Sequence, residues 1–184
     1  MEAAAGGSAP RNNHVAQALR AHGQATLLLD LLTAMEEQDR RNVFDIGLLA
    51  SRLKSAAAWT RQQPELRHLP IGYFGASTGA AAALVAAAND PQIAAIVSRG
   101  GRPDMAREML PLVRAPTLLL VGSLDGPVIT LNQQAFMALT CPKKILIVPG
   151  AGHLFEEPGT LDQVIACASD WFASHFKPHA AKEK

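Results

Sequence analysis

The sequence has little cysteine, little net charge and no long apolar run, and each of these absences narrows the class of protein. Only two of its 184 residues are cysteines, too few for a disulfide framework, and we expect both Cys141 and Cys167 to be reduced. A formal net charge of +1 gives no electrostatic reason to expect nucleic acid or a membrane as a partner. The apolar runs are too short or too rich in alanine to cross a bilayer, and the first residues lack the features of a signal peptide. We therefore expect a cytoplasmic protein.

Two common kinds of site are also missing from the sequence. No cluster of cysteine and histidine has the spacing of zinc ligands, and no glycine-rich loop has the pattern that cradles phosphate. We therefore expect neither a metal nor a cofactor. The chain has 184 residues, which is long enough for one domain with a sizeable core, and its 48% of hydrophobic residues is ordinary for a globular protein.

Short apolar runs alternate with segments of helical periodicity, which predicts an α/β fold: a mostly parallel sheet of about five strands with helices on both faces. We expect a single domain over 10–176, between a flexible N-terminus (1–9) and a flexible basic tail (177–184). The predicted strands are Ala25–Leu29, Pro70–Phe74, Ile93–Val97, Thr117–Val121 and Lys144–Val148. The predicted helices are Pro10–His22, Ile46–Gln62, an alanine-rich helix ending near Asn89, Asp104–Leu110, Pro127–Thr140 and Gly159–His175, and the polar stretch Thr33–Asn42 is predicted to be a loop.

The second predicted strand leads at once into Gly75-Ala76-Ser77-Thr78-Gly79 and then into the alanine-rich helix. A strand, Gly-x-Ser-x-Gly and a helix in this order are typical of a nucleophile elbow, in which a sharp turn lifts a serine hydroxyl above the sheet. The glycines at either end of the turn avoid collisions with neighbouring backbone. Ser77 is therefore a candidate nucleophile, although a simple strand-to-helix turn has the same pattern.

Two further residues of the right chemistry follow later strands. Asp125 comes after the fourth strand and His153 after the fifth, and sites in parallel sheets form at such carboxyl ends. Histidine can take and return the serine proton, and the aspartate orients the imidazole. Taken singly, Asp125 also fits a turn or a helix cap, and His153 fits a loop histidine bound to backbone. Asp30 is a rival acid, but it precedes Ser77 and breaks the chain order Ser, Asp, His.

From Ala25 onward the sequence resembles the dienelactone-hydrolase-related branch of the α/β-hydrolases. The resemblance is carried by the elbow GYFGASTGAAAA and by the runs ATLLLDLL, SRGGRPD, APTLLLVGSLD and VPGAGHLFEEPG. It implies hydrolysis of an ester, lactone or related small acyl substrate without a cofactor. The dienelactone hydrolases themselves use a cysteine nucleophile, whereas Ser77 stands at that position here, which points to a serine esterase-like relative.

The resemblance also implies a further strand between the Ala25 strand and the elbow strand, followed by a loop that donates an oxyanion N–H. We expect nothing before Pro10 to form that strand, so the chain looks truncated at its N-terminus. The Ala25 strand would then pair directly with the elbow strand, or another chain would fill the gap, and the exposed sheet edge would favour a homo-oligomer. The backbone N–H of Thr78 is one predicted oxyanion donor, and Gly7 or Ser8 is a candidate for the second.

Arg99 and Arg102 follow the third predicted strand and are candidates for holding an acidic substrate group, since guanidinium pairs well with carboxylate. The alternative is that both lie in a solvated turn. Three functions remain open: a serine hydrolase, a hydrolase-fold protein that only binds a partner, and an acyltransferase that uses the same triad.

Overall fold

A computed structural model describes residues 2–4 and 10–176 of the chain. It has an α/β fold in which six parallel strands form one sheet, in the order β2-β1-β3-β4-β5-β6. The strands are β1 Glu2–Ala4, β2 Leu28–Asp30, β3 Ile71–Ala76, β4 Ile93–Arg99, β5 Thr117–Gly122 and β6 Lys143–Val148. The helices are α1 Pro10–Ala21, α2 Ala34–Glu37, α3 Arg40–Val43, α4 Ile46–Gln62, α5 Thr78–Ala87, α6 Gly126–Ala138 and α7 Thr160–His175, with a 3₁₀ helix at Pro103–Leu112.

The helices cover both faces of the sheet, as the alternation of strands and helices predicts. Side chains in β5 show the division, because Leu119 packs with α4, α5 and α6, whereas Leu118 and Leu120 pack with α1 and α7. Successive side chains of a strand point to opposite faces, so a fully apolar strand supplies two cores at once. The short, fully apolar runs in the sequence are therefore central strands with a core on either side.

Helix α4 has the bounds that its sequence predicts. Asp45 caps it by accepting a hydrogen bond at 2.9 Å from the backbone N–H of Leu48, and the apolar residues Ile46, Leu49, Leu53 and Ala57, which recur at helical spacing, are all buried. At the end of α1, Gly23 has a φ of +80°, a conformation that glycine adopts readily where a helix ends.

The segment Thr33–Asn42 is not the loop that its polarity predicts. It contains α2 and α3, each one turn long. Thr33 and Glu36 form a capping box at the start of α2, and the Asp39 side chain accepts from the backbone N–H of Arg41 at 3.0 Å to start α3. The cause is local capping, because none of the residues in these two helices is buried.

The expectation that nothing before Pro10 forms a strand is wrong. Strand β1 lies between β2 and β3 and is parallel to both: Glu2 is opposite Leu28 on one side and Phe74 on the other. Hydrogen bonding on both edges makes a strand of residues whose own composition does not favour one. Neither predicted arrangement, direct pairing of β2 with β3 or a gap filled by another chain, is present, and the reason for predicting an exposed edge at the centre of the sheet falls away.

In the part of the chain that the structure describes, no helix is long and apolar enough to cross a membrane. The segment 5–9 and the tail from 177 onward lie outside the described residues, so the predicted flexibility of both ends stays a prediction.

Candidate active site

The turn between β3 and α5 has the strained geometry of the predicted elbow. Ser77 has φ 50° and ψ −123°, values that non-glycine residues rarely adopt. A Cβ on Gly75 would lie 2.5 Å from the backbone oxygen of Gly79 and 2.6 Å from the Cα of Ala80, so only glycine fits before the turn. The chain therefore passes close to itself here and leaves Ser77 at the carboxyl end of β3, with α5 starting at Thr78.

Asp125 and His153 are in contact at the same end of the sheet. His153 Nδ1 lies 2.6 Å from Asp125 Oδ2, and the side chains are 40% and 13% exposed, respectively. An ionised carboxylate only accepts hydrogen bonds, so the proton is on Nδ1 and Nε2 is left as the acceptor. The Asp125 side chain makes no capping hydrogen bond to α6, although the residue occupies the cap position. Its side chain serves the histidine rather than the helix.

The loops after β5 and β6 are bonded together, and this fixes the acid relative to the base. The backbone N–H of Leu124 donates to the carbonyl of Ala151 at 3.0 Å, and the N–H of Gly150 donates to Ser123 Oγ at 2.8 Å. A Cβ on Gly122 would lie 2.3 Å from the oxygen of Ala151, so the loops also make contact at their bases. The distance between Asp125 and His153 therefore depends on backbone that has little room to move.

The turn after β4 borders both the serine and the histidine. The N–H of Ser77 donates to the carbonyl of Arg99 at 3.4 Å, and the carbonyl of Ser77 accepts from the N–H of Arg102 at 3.1 Å. Between them, Gly100 has a φ of +51°, and a Cβ there would lie 3.0 Å from the backbone oxygen of His153 and 3.7 Å from its ring atom Cε1. One turn thus holds the elbow backbone and supports the histidine loop.

Ser77 and His153 are neighbours across this turn, but among the described residues no hydrogen bond joins Ser77 Oγ to His153. Catalytic hydrogen bonds are often long or misaligned before substrate binds and tighten in the complex. The arrangement is therefore an assembled acid–base pair beside a strained serine.

Two supporting residues are not apparent from the sequence. Asn132 in α6 is fully buried, and its Nδ2 donates to the carbonyls of Gly101 at 3.0 Å and Val128 at 2.9 Å, which ties α6 to the turn after β4. Phe155 is buried two residues after His153 with a φ of 54°, so the histidine loop is also strained. The one indication of these contacts in the sequence is the glycine pair Gly100-Gly101, because adjacent glycines mark a turn that neighbouring residues approach closely.

The two candidate arginines of this turn both have partners. Arg99 is only 8% exposed, and its Nη2 donates to Asn12 Oδ1 of α1 at 3.3 Å, so the alternative of a solvated turn is wrong for this residue. Arg102 makes a two-pronged ion pair with Asp104 at 2.9 and 2.8 Å. The hydrogen bonds that Arg102 donates hold the pKa of the Asp104 carboxyl below the ordinary value, and the same bonds raise the pKa of Arg102. Binding of an acidic substrate by either arginine stays a prediction.

The other candidates have definite positions or lie outside the described chain. Thr78 is the first residue of α5, where backbone N–H groups lack partners within the helix. Gly7 and Ser8 lie outside the described residues. Asp30 is the last residue of β2, which lies at the opposite edge of the sheet from β6. The carboxylate that contacts His153 is that of Asp125. Within 10–176, no group of three or more histidine, cysteine or acidic side chains is placed to hold a metal.

A parallel sheet with a serine on a strained strand-to-helix turn, and an Asp–His pair at the carboxyl ends of later strands, defines the α/β-hydrolase class. The model of the dienelactone hydrolase family matches residues 7–177. A dienelactone hydrolase from Anabaena variabilis has the same fold, with a TM-score of 0.91 and 52% sequence identity over 96% of this chain and 85% of that one. This chain belongs to the dienelactone hydrolase family, and so to a family of hydrolases.

More distant structures share the fold alone. The esterase domain of a Rhodothermus marinus protein matches with a TM-score of 0.70 at 19% identity, over 90% of this chain and 80% of that one. Among curated proteins, this chain is 58% identical over 167 residues to a Mycobacterium tuberculosis protein whose name provisionally describes a phosphoribosyl transferase. The match covers 90% of this chain but only 38% of that protein, so the name describes a much longer chain.

Proposed function

We propose that this chain is a serine hydrolase that cleaves a small ester, lactone or related acyl compound through Ser77, His153 and Asp125. The observation that carries the proposal is the 2.6 Å contact between His153 Nδ1 and Asp125 Oδ2, on loops that border a strained Ser77. Family membership supports hydrolysis as the reaction class.

In the proposed mechanism, Ser77 Oγ attacks the acyl carbon while His153 Nε2 accepts the serine proton. Asp125 keeps the proton on Nδ1 and stabilises the imidazolium that forms. The proton then passes to the leaving oxygen as the bond from the acyl carbon to that oxygen breaks. Water, deprotonated by the same imidazole, attacks the acyl-enzyme, releases the acid and restores Ser77.

The tetrahedral intermediates carry negative charge on the former carbonyl oxygen, which requires N–H donors placed at that position. We assign one donor to the backbone N–H of Thr78, at the start of α5. Gly7 or Ser8 remains the proposal for the second. The register of β1 supports this, because Ala3 is opposite Gly75, two residues before Ser77.

The name of the Mycobacterium relative gives no residue-level support for phosphoribosyl transfer by this chain, because it belongs to a protein of which the match covers 38%. Acyl transfer to an alcohol or thiol uses the same three residues and differs only in the acceptor that attacks the acyl-enzyme. Hydrolysis is favoured because the esterase fold and the family both point to water as the acceptor.

Labelling with a fluorophosphonate, followed by mass mapping, tests the triad directly, because only an activated serine reacts. We expect the label on the peptide that contains Ser77 and its loss in Ser77→Ala and His153→Ala. Ser55→Ala is the matched control, since Ser55 is an exposed serine on α4. Failure of the folded protein to label at Ser77 would overturn the proposal.

A second measurement identifies the base. The rate of ester hydrolysis should rise with pH, because only an unprotonated imidazole accepts the serine proton. His153→Ala should remove this rise together with most of the activity. An unchanged pH profile in His153→Ala would exclude His153 as the base.

A further inference from the structure

Two large apolar side chains stand exposed beside the acid and the base. Leu124 precedes Asp125 and is 69% exposed, and Leu154 follows His153 and is 46% exposed. Single exposed leucines are common on protein surfaces and need no explanation. These two differ because their loops are bonded together: the N–H of Leu124 donates to the carbonyl of Ala151, three residues before Leu154. Because each adjoins a member of the Asp125–His153 pair in sequence, on loops that are bonded together, we call the two residues the leucine rim.

Three arginines on segments that border this site already have partners. Arg102 donates two hydrogen bonds to Asp104, and the buried Arg99 donates one to Asn12 Oδ1. Arg11, at the start of α1, forms an ion pair with Glu156 in the histidine loop. At Arg102 or Arg11, a carboxylate on the substrate would have to displace Asp104 or Glu156, and exchanging one carboxylate for another gains little free energy.

Together, the leucine rim and the paired arginines favour an uncharged substrate with an apolar acyl chain. Resting on the proposed function, we infer that the site hydrolyses neutral esters whose acyl chain lies against Leu124 and Leu154, and that it disfavours acyl groups that carry a carboxylate. An apolar chain on these side chains removes apolar surface from water, at about 25 cal/mol per Å². A charged chain would keep its hydration and gain nothing from the leucines.

Three p-nitrophenyl esters test this inference: the acetate, the valerate and the monoester of glutaric acid. The last two have acyl chains of equal length and differ in the terminal carboxylate. For the unmodified chain we expect kcat/KM for the valerate to exceed that for the acetate and for the glutarate monoester by about tenfold each. A preference for the glutarate monoester, or equal rates for all three, would overturn the inference.

Variants then assign the preference to residues. Leu124→Ala combined with Leu154→Ala should lower the ratio of valerate to acetate by about three- to tenfold, because the chain loses its apolar contact. Met137→Ala is the matched control, since Met137 is 78% exposed at the other end of α6, and it should leave the ratio unchanged. An unchanged ratio in the double variant would overturn the role of the rim.

Asp104→Asn provides a gain of function. Its loss of charge frees Arg102, and we expect kcat/KM for the glutarate monoester to rise several-fold while that for the valerate stays constant. No rise would overturn the role of this ion pair. Fluorophosphonate labelling of Ser77 in each preparation separates the two proposals: labelled protein without the ester preference refutes only the substrate inference, and unlabelled protein refutes the triad itself.

Discussion

At the carboxyl end of the sheet, a Cβ on Gly122 would lie 2.3 Å from a backbone oxygen, whereas at the amino end a Cβ on Gly72 would lie 2.7 Å from the ring of Phe172. Backbone packs against backbone at the first end, whereas aromatic rings pack against the glycine backbone at the second. The amino end also contains a cavity of about 190 Å³, lined by apolar residues of β3, α4 and α7 and by the segment before β2.

Backbone contacts cannot relax without moving a loop, whereas rings can rotate into nearby space. The carboxyl end therefore keeps Ser77, Asp125 and His153 in fixed relation, and substitutions there should act first on activity. The amino end supplies buried apolar area, and substitutions there should act on stability alone. Three measurements test this division, beginning with the largest expected effect, and a fourth concerns the middle of the sheet between the two ends.

The first removes the acid at the carboxyl end. Asp125→Asn should lower kcat/KM for ester hydrolysis by about 10³- to 10⁴-fold, because the amide no longer fixes the imidazole tautomer, and should leave thermal unfolding nearly unchanged. Ester hydrolysis and a melting curve measure both. Asp30→Asn is the control at the end of β2. Full activity in Asp125→Asn together with loss of activity in Asp30→Asn would reverse the assignment.

The second removes a ring at the amino end. Phe172→Ala should lower the free energy of unfolding by about 3–5 kcal/mol, because it empties a buried site in the core between the sheet and α7. Chemical denaturation measures the loss, and kcat/KM below the transition should stay within twofold. Trp59→Ala, at a half-exposed residue on the same cavity, should cost much less. A large fall in activity of folded Phe172→Ala would break the division between the two ends.

The third tests the backbone contact at the carboxyl end. Gly122→Ala should lower kcat/KM by about 10- to 100-fold and the free energy of unfolding by about 1–3 kcal/mol, because the methyl group displaces the loop that carries His153. Gly126→Ala is the matched control four residues later, where an added Cβ meets nothing within 4 Å. If both variants kept full activity, the contact between Gly122 and Ala151 would not matter for the site.

The fourth, with the smallest effect, concerns Tyr73 in the middle of the sheet. Burial raises the pKa of its phenol from 10.0 to about 12, and Asp90 adds to the rise. The raised pKa gives stability that is complete below pH 10 and is lost as the pH rises through 12. Tyr73 is the only tyrosine, so absorbance at 295 nm follows it directly. Ionisation of the folded protein near pH 10 would contradict its burial.

The same hydroxyl has no hydrogen-bond partner among the described residues. Tyr73→Phe removes an unpaired buried group, so the free energy of unfolding should change by less than about 1 kcal/mol or should rise. A larger loss would mean that the hydroxyl has a partner in the folded protein.

Sequence reasoning succeeded where local signals suffice. The alternation of apolar runs and helical segments predicted the α/β fold, and it also predicted the bounds of α4. Glycine spacing predicted the tight turn at Ser77, and strand-end positions predicted that Asp125 and His153 would lie together.

It failed where structure depends on distant partners. Strand β1 has only Glu2, Ala3 and Ala4, with no apolar pattern, and becomes a strand because β2 and β3 bond to its two edges. Arg99 is buried because Asn12, 87 positions away, accepts from its guanidinium. Such contacts leave no trace in a local window of sequence.

The position of β1 also has a consequence for folding kinetics. Its two partners come from well apart in the chain, and every neighbouring pair of strands in the sheet is parallel, so no hairpin can form early and guide the rest. Distant segments must come together, and lose conformational entropy, before the stabilising strand contacts can form. Such sheets are therefore slow to fold. On the ribosome, β1 is made before both of its partners and cannot complete its pairing until β3 has been made. Until then, β1 and β2 have unpaired edges. During refolding at high protein concentration, aggregation through such edges should compete with folding.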